Sequence, residues 1–217
     1  MEAQTRNTQQ FSAEEARIIA SLMEKELTTP NNYPLTLNSL LAACNQKSNR
    51  EPVMQMTEGQ VGNVVNKMVE KGLLFVEYGE RAIRISHKAR SNFKLDRKQQ
   101  AVLAVLMLRA PQTLNDILTR TARMADFSGS DEILGIVEEF IAREPPLGVR
   151  FPKGEGRRED RYSHLLCGEV AMPKSDGPSQ KSGAARESVA DRDDRLTALE
   201  KRVSELEERI RLLEEMA

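Results

Sequence analysis

Apolar residues in the first part of the chain recur first at helical spacing and then at strand spacing. Capping-box sequences begin at Ser12 and Thr57, Thr36 is a further helix N-cap, and Gly79 separates two short β-rich runs. We call the predicted elements the first module: helices over 13–27, 36–44 and 57–72, and strands over 73–78 and 81–86. Three helices followed by a hairpin is the order of a winged helix-turn-helix domain.

The same order follows in a second module. Its predicted helices and strands cover 98–110, 113–124, 130–143, 149–152 and 160–165. The turn at 153–157 is longer than the first hairpin turn and is basic. The pattern predicts a mainly α chain with small β-hairpins (α+β), built from two tandem winged helix-turn-helix domains over 1–97 and 98–167.

An internal repeat supports this organisation. Residues 34–41 (Pro-Leu-Thr-Leu-Asn-Ser-Leu-Leu) match residues 111–118 (Pro-Gln-Thr-Leu-Asn-Asp-Ile-Leu) at an offset of 77. At the same offset, residues 79–87 and 156–164 share a glycine, two arginines, a serine and a histidine. Two blocks at one offset indicate that a single module occurs twice.

The remaining residues differ in character. Residues 168–190 are rich in Gly, Pro, Ser and charge, which predicts a flexible linker. From 191 to 217 a heptad seam follows: Leu196, Leu199, Val203, Leu206, Ile210 and Leu213. Arginines at the g positions and glutamates at the e positions pair across a parallel dimer, so we predict a parallel coiled-coil homodimer. The alternative is an amphipathic helix that folds back onto its own chain.

Composition excludes several classes. The 217 residues are 39% hydrophobic and 4% aromatic, enough for two modest cores. Two cysteines cannot form a disulfide framework or a four-cysteine zinc site, which favours a reduced, cytoplasmic protein. Residues 1–20 lack an apolar signal segment, and the longest apolar run, 101–108, is too short to cross a bilayer. We expect neither membrane association nor a cofactor or metal.

The third helix of the first module is the candidate DNA-recognition helix. Its apolar positions are predicted to face inward: Val61, Val64, Val65, Met68 and Val69. The outer face then carries Gln60, Asn63, Asn66, Lys67 and Glu70. Amide side chains pair with adenine edges and lysine reaches phosphate, whereas an ordinary solvated helix face is the alternative interpretation.

The distribution of charge along the chain locates a second candidate DNA contact. The formal charge of −1 combines 32 basic and 33 acidic residues, yet residues 81–98 hold seven basic side chains against one acid. The candidate phosphate contacts there are Arg81, Arg84 and Lys88. The alternative is a solvated connector. The second module exposes Asp131, Glu132, Glu138 and Glu139 on its third helix, which disfavours DNA and favours packing or protein contact.

The loop at residues 45–50 is dense in amide and cationic side chains. Lys47 and Arg50 are its candidate phosphate contacts. The same side chains are also suited to hydrogen bonding with backbone groups of the loop, which is the interpretation that we favour.

The sequence gives little support for a catalytic site. His87 and His164 occupy equivalent hairpin ends, and Cys44 in a helix is typical of a buried structural cysteine.

Three stretches resemble the signature of the YceH-like family of bacterial proteins: residues 28–30 (Thr-Thr-Pro), 33–38 (Tyr-Pro-Leu-Thr-Leu-Asn) and 43–53 (Ala-Cys-Asn-Gln-Lys-Ser-Asn-Arg-Glu-Pro-Val). Residues 108–113 and 161–166 are similar to its later blocks, with Ala110 where the family usually has Gly. The resemblance covers roughly 11–168. It implies a tandem winged-helix fold and supplies no catalytic or binding residues.

Together these features predict a non-enzymatic, DNA-binding, transcription-regulator-like dimer that contacts duplex DNA mainly through the first module. A protein-interaction scaffold without DNA binding is the competing hypothesis.

Overall fold

Three α-helices precede the first of two small antiparallel sheets, and a short helix and three longer ones precede the second, so the chain has an α+β fold. The computed structural model describes residues 10–79, 82–154 and 158–168. The first module contains α1 (Ala13–Thr28), a 3₁₀ helix (Pro30–Asn32), α2 (Leu37–Cys44), α3 (Glu58–Glu70), β1 (Leu74–Tyr78) and β2 (Ile83–His87). After the short α4 (Ala89–Asn92), the second contains α5 (Arg97–Leu108), α6 (Leu114–Thr121), α7 (Ser130–Ala142), β3 (Gly148–Phe151) and β4 (Arg161–His164). The predicted linker beyond residue 168 and the heptad segment lie outside the described residues.

The helices begin where side chains satisfy the free N–H groups of the first turn. Ser12 Oγ accepts from the Glu15 N–H at 3.1 Å, while the Ser12 N–H donates to the Glu15 carboxylate at 3.0 Å. The predicted capping box at Thr57 is likewise present. Asp96 is the N-cap of α5 in the same way, with Gln99 as its reciprocal partner. The helix therefore begins at Arg97, one residue before the predicted start.

The repeated residues tie the start of the second helix of each module to the hairpin. Leu35 forms a bridge with Ile85, and Gln112 forms one with Tyr162, again 77 residues apart. Arg84 donates to the Pro34 carbonyl at 3.1 Å, and its equivalent Arg161 donates to the Pro111 carbonyl at 2.8 Å. The identities that revealed the repeat therefore include structural contacts.

Both modules share one hydrophobic core instead of the two that composition suggested. Residues 100–108 of α5 are all buried, since α5 packs against α1 on one side and against α6, α7 and β4 on others. Gln100 Nε2 donates to the Met23 carbonyl at 3.1 Å across this junction. The longest apolar run is thus a central helix that is apolar on nearly every face.

The buried face of α3 is narrower than predicted. Val61, Val65 and Met68 are at most 2% exposed and Val64 packs partly against the core. Val69 is 38% exposed, so its predicted inward position is wrong. Successive residues of an α-helix are rotated by about 100°, which turns Val69 away from the face that Met68 buries.

Candidate nucleic-acid interface

The outer face of α3 consists of exposed polar side chains, as the spacing predicted. Gln60 is partly committed, because its amide oxygen accepts from the Thr57 N–H at 2.8 Å and so caps the helix. Asn63, Asn66 and Lys67 make no hydrogen bond or ion pair within the part of the chain that the structure describes. Their amide and ammonium groups are therefore available to a ligand.

The equivalent helix of the second module uses two of its four outer carboxylates internally. Glu132 of α7 pairs with Lys98 and accepts from Ser128, and the hydrogen bond with Lys98 is the main cause that lowers the pKa of Glu132 to about 2. Glu139 accepts from Gln99 and Arg143 at 2.7 Å each. The two modules therefore present unlike faces.

The basic run that the sequence placed between residues 81 and 98 is divided by the fold. Arg81 lies outside the described residues. Lys88 follows β2, where its N–H donates to the Leu73 carbonyl at 2.9 Å. Arg84 is engaged by the Pro34 carbonyl and Lys98 by Glu132, so the run does not form a single strip of uncommitted cations.

At the base of the hairpin four basic side chains form what we call the basic edge: Lys88, Arg90, Lys94 and Arg97. All four are exposed and make no ion pair among residues 10–79, 82–154 and 158–168. Asn92 Nδ2 donates to the Gly72 carbonyl at 3.2 Å, which places this edge beside the C-terminal end of α3. Lys98 is excluded from the edge because it pairs with Glu132. Arg84 is exposed but committed to Pro34.

The loop between α2 and α3 requires a correction. Arg50 is only 5% exposed, and its guanidinium binds both oxygens of Glu24, the closer at 2.5 Å. Its Nε donates to the Ala43 carbonyl at 3.1 Å. The candidate phosphate contact at Arg50 is therefore wrong, because the side chain is buried and occupied. Lys47 is exposed and stays a candidate.

Two further side chains that sequence reasoning did not single out hold the same loop. Asn45 closes it by accepting from the Met56 N–H and donating to the Met56 carbonyl, each at 2.8 Å. Arg17 of α1 donates to the carbonyls of Cys44 and Pro52 at 3.1 and 2.6 Å. An arginine among the apolar residues of α1 is the signal that could have revealed this contact. The amide-rich and basic composition thus supports a long connection.

The cysteine and histidine of the first module have separate partners. Cys44 is fully buried, and burial raises the pKa of its thiol to about 11. His87 Nε2 lies 3.0 Å from Glu26, and His87 Nδ1 accepts from the Ala89 N–H at 3.1 Å. His87 therefore does not activate the Cys44 thiol. Within the described residues no cluster of metal-ligating side chains and no membrane-spanning helix occurs.

Comparison with known proteins places the chain among relatives of nearly equal length. A UPF0502 protein of Cellvibrio japonicus (strain Ueda107) is 42% identical over 208 residues, 94% of each chain. A UPF0502 protein of Pseudomonas fluorescens (strain Pf0-1) is 41% identical over 219 residues, 99% of each chain. Residues 11–157 match the family described as "Protein of unknown function, DUF480". These matches agree with the family resemblance given by residues 43–53, and the chain therefore belongs to the DUF480 (UPF0502) family.

Proposed function

We propose that the protein binds duplex DNA through its first module, as a non-enzymatic regulator. In this proposal each module is a winged helix-turn-helix domain, with α3 as the recognition helix and the β1–β2 hairpin as the wing. The observation that carries the proposal is the difference between the equivalent helices α3 and α7. The outer face of α3 offers uncommitted amide and ammonium groups, whereas the carboxylates of α7 are partly consumed internally.

The chemistry of that face suits the major groove. Asn63 and Asn66 each carry one amide donor and one acceptor, the pair that recognises N6 and N7 of adenine. Lys67 supplies a phosphate contact, and the basic edge offsets the repulsion of phosphate by Glu70 at the C-terminal end of α3. Tyr78, 88% exposed at the end of β1, adds an aromatic side chain beside the hairpin turn.

Dimerisation would raise the affinity of the protein for DNA, because one copy of α3 offers few contacts. The heptad seam between Leu196 and Leu213 is proposed to pair two chains in parallel. Two copies of α3 would then engage a two-fold related DNA site, and the second contact would form at a raised effective concentration.

The test is fluorescence anisotropy with a random duplex at several salt concentrations. Affinity should fall steeply as the salt concentration rises. Lys67→Ala should weaken binding and reduce by about one the slope of the logarithm of the binding constant against the logarithm of the salt concentration. Lys153→Ala, at an exposed lysine of the second module, is the matched control and should change little. Absence of binding to the full chain at low salt would refute the proposal.

A protein-interaction scaffold is the second candidate. Val69 and Phe75 are 38% and 47% exposed, and they lie on consecutive elements of the first module. If duplex DNA does not bind, photo-crosslinking from position 75 in cells tests this candidate. A crosslinked partner that is lost in Val69→Ser and retained in Lys67→Ala would support it.

A further inference from the structure

Two hydrogen bonds join the α2–α3 loop to the end of α5 and the residues that follow it. The Glu51 N–H donates to the Leu108 carbonyl at 2.9 Å. Arg109 Nη2 donates to Asn49 Oδ1, also at 2.9 Å. Residues 108–113 are the later block of the family resemblance, and the DNA-binding proposal assigns them no role.

Positive charge at this junction exceeds the buried negative charge. Arg17, Arg50 and Arg109 are 2%, 5% and 8% exposed. The buried carboxylates among the described residues are Glu15, which pairs with Lys71, and Glu24. Glu24 is engaged by both terminal nitrogens of Arg50. Arg17 and Arg109 are therefore left without a carboxylate partner in the described part of the chain.

Arg17 and Arg109 each keep one buried N–H group without a partner among the described residues, and that of Arg109 lies on the side chain whose pKa the charge of Arg120 lowers. Arg109 Nη1 is fully buried and has no hydrogen-bond partner in the described ranges 10–79, 82–154 and 158–168. The pKa of Arg109 is lowered to about 10, chiefly by burial and then by the nearby charge of Arg120, while the charges of Glu24 and Glu51 act in the opposite direction. Arg120 itself bonds through Nη1 to the neutral amide oxygen of Gln112. A buried guanidinium with an unsatisfied donor is costly unless an anion accompanies it.

We propose that Arg109 and Arg120 form an anion site for a phosphate group at the junction of the two modules. Two guanidinium groups offer paired N–H donors to the oxygens of one tetrahedral anion. Asn49 lies at the rim, exposed, with its amide N–H₂ available because only its Oδ1 is engaged by Arg109. Either a free phosphate compound or a phosphodiester of bound DNA supplies this chemistry. The site stands independently of DNA recognition by α3.

Isothermal titration calorimetry with inorganic phosphate, at constant ionic strength, tests the anion site on the full chain. Arg120→Gln removes one cation at a half-buried position, and Arg123→Gln, an exposed arginine just beyond α6, is the matched control. Far-UV circular dichroism verifies that both variants fold. We expect phosphate to bind the wild type and Arg123→Gln, and to bind Arg120→Gln at least about tenfold more weakly. Arg109→Gln should behave like Arg120→Gln wherever it folds.

A second arm uses a short duplex DNA with the same proteins. If inorganic phosphate does not bind but Arg120→Gln weakens DNA binding and lowers the salt slope by about one relative to Arg123→Gln, a DNA phosphodiester occupies the site. Equal behaviour of the two variants in both arms would overturn the proposal. If the wild type binds no DNA, only the recognition role of α3 is refuted, and the phosphate arm still decides the anion site.

Discussion

Replacement of Arg50 separates a structural role from a binding role for the α2–α3 loop. Arg50→Met keeps most of the side-chain volume and removes the guanidinium. That group makes four hydrogen bonds, two to Glu24 and one each to the carbonyls of Ala43 and Asn49. The side chain of Glu24 is only 9% exposed, so the substitution leaves a buried carboxylate without its principal partner.

The expected loss follows from that burial. Breaking a buried ion pair by removal of one partner costs about 3–5 kcal/mol, because the remaining charge is desolvated and uncompensated. Lys47→Met, at an exposed position of the same loop, should change the free energy of unfolding by less than about 0.5 kcal/mol. The double variant Glu24→Gln with Arg50→Met should lose less than the sum of the single variants, since neither member of this pair is then left charged without the other.

Urea unfolding followed by circular dichroism measures these free energies. A loss below about 1 kcal/mol for Arg50→Met, or equal losses at positions 47 and 50, would refute the reasoning. A fold that is intact in Arg50→Met, together with weakened DNA binding, would restore the ligand-contact interpretation.

Three further predictions concern buried or capping groups. Burial lowers the pKa of His164 to about 4, so the unfolded chain takes up a proton that the folded chain does not as the pH falls below about 6.5. Stability should fall by about 3 kcal/mol between pH 6.5 and 4, and an unchanged slope in His164→Asn would contradict this cause. Cys44, with its raised pKa, should react with a thiol reagent at pH 8 only after unfolding, whereas exposed Cys167 should react in the folded protein; two equally fast thiols would contradict this. Thr57→Ala should lower stability by about 1 kcal/mol in urea unfolding, with Thr57→Ser close to the wild type; an unaffected midpoint in Thr57→Ala would show that the cap is dispensable.

Local features of the candidate site were predictable to the extent that they depend on neighbours in sequence. The exposure of Asn63, Asn66 and Lys67 follows from the helical period of α3. The role of Arg50 was not predictable, because its partner Glu24 lies 26 residues away on another helix. The commitment of Arg84 to the Pro34 carbonyl likewise depends on a contact between residues 50 positions apart in the chain.

The sequence by itself determined the order of the elements, the capping residues and the internal repeat, since helix caps and periodicity act within a few residues along the chain. Tertiary structure decided which charges are available. Packing of α1 against α5 merges the modules into one core. Arg17, Arg50 and Arg109 are buried, and of these three Arg50 is the one that pairs with a carboxylate among the described residues, while Lys98 is committed to Glu132. The sequence shows the same residue type for a solvated arginine and for a buried one. Only its burial and its nearest partner, which the tertiary structure sets, distinguish a cation available to a ligand from one that stabilises the fold.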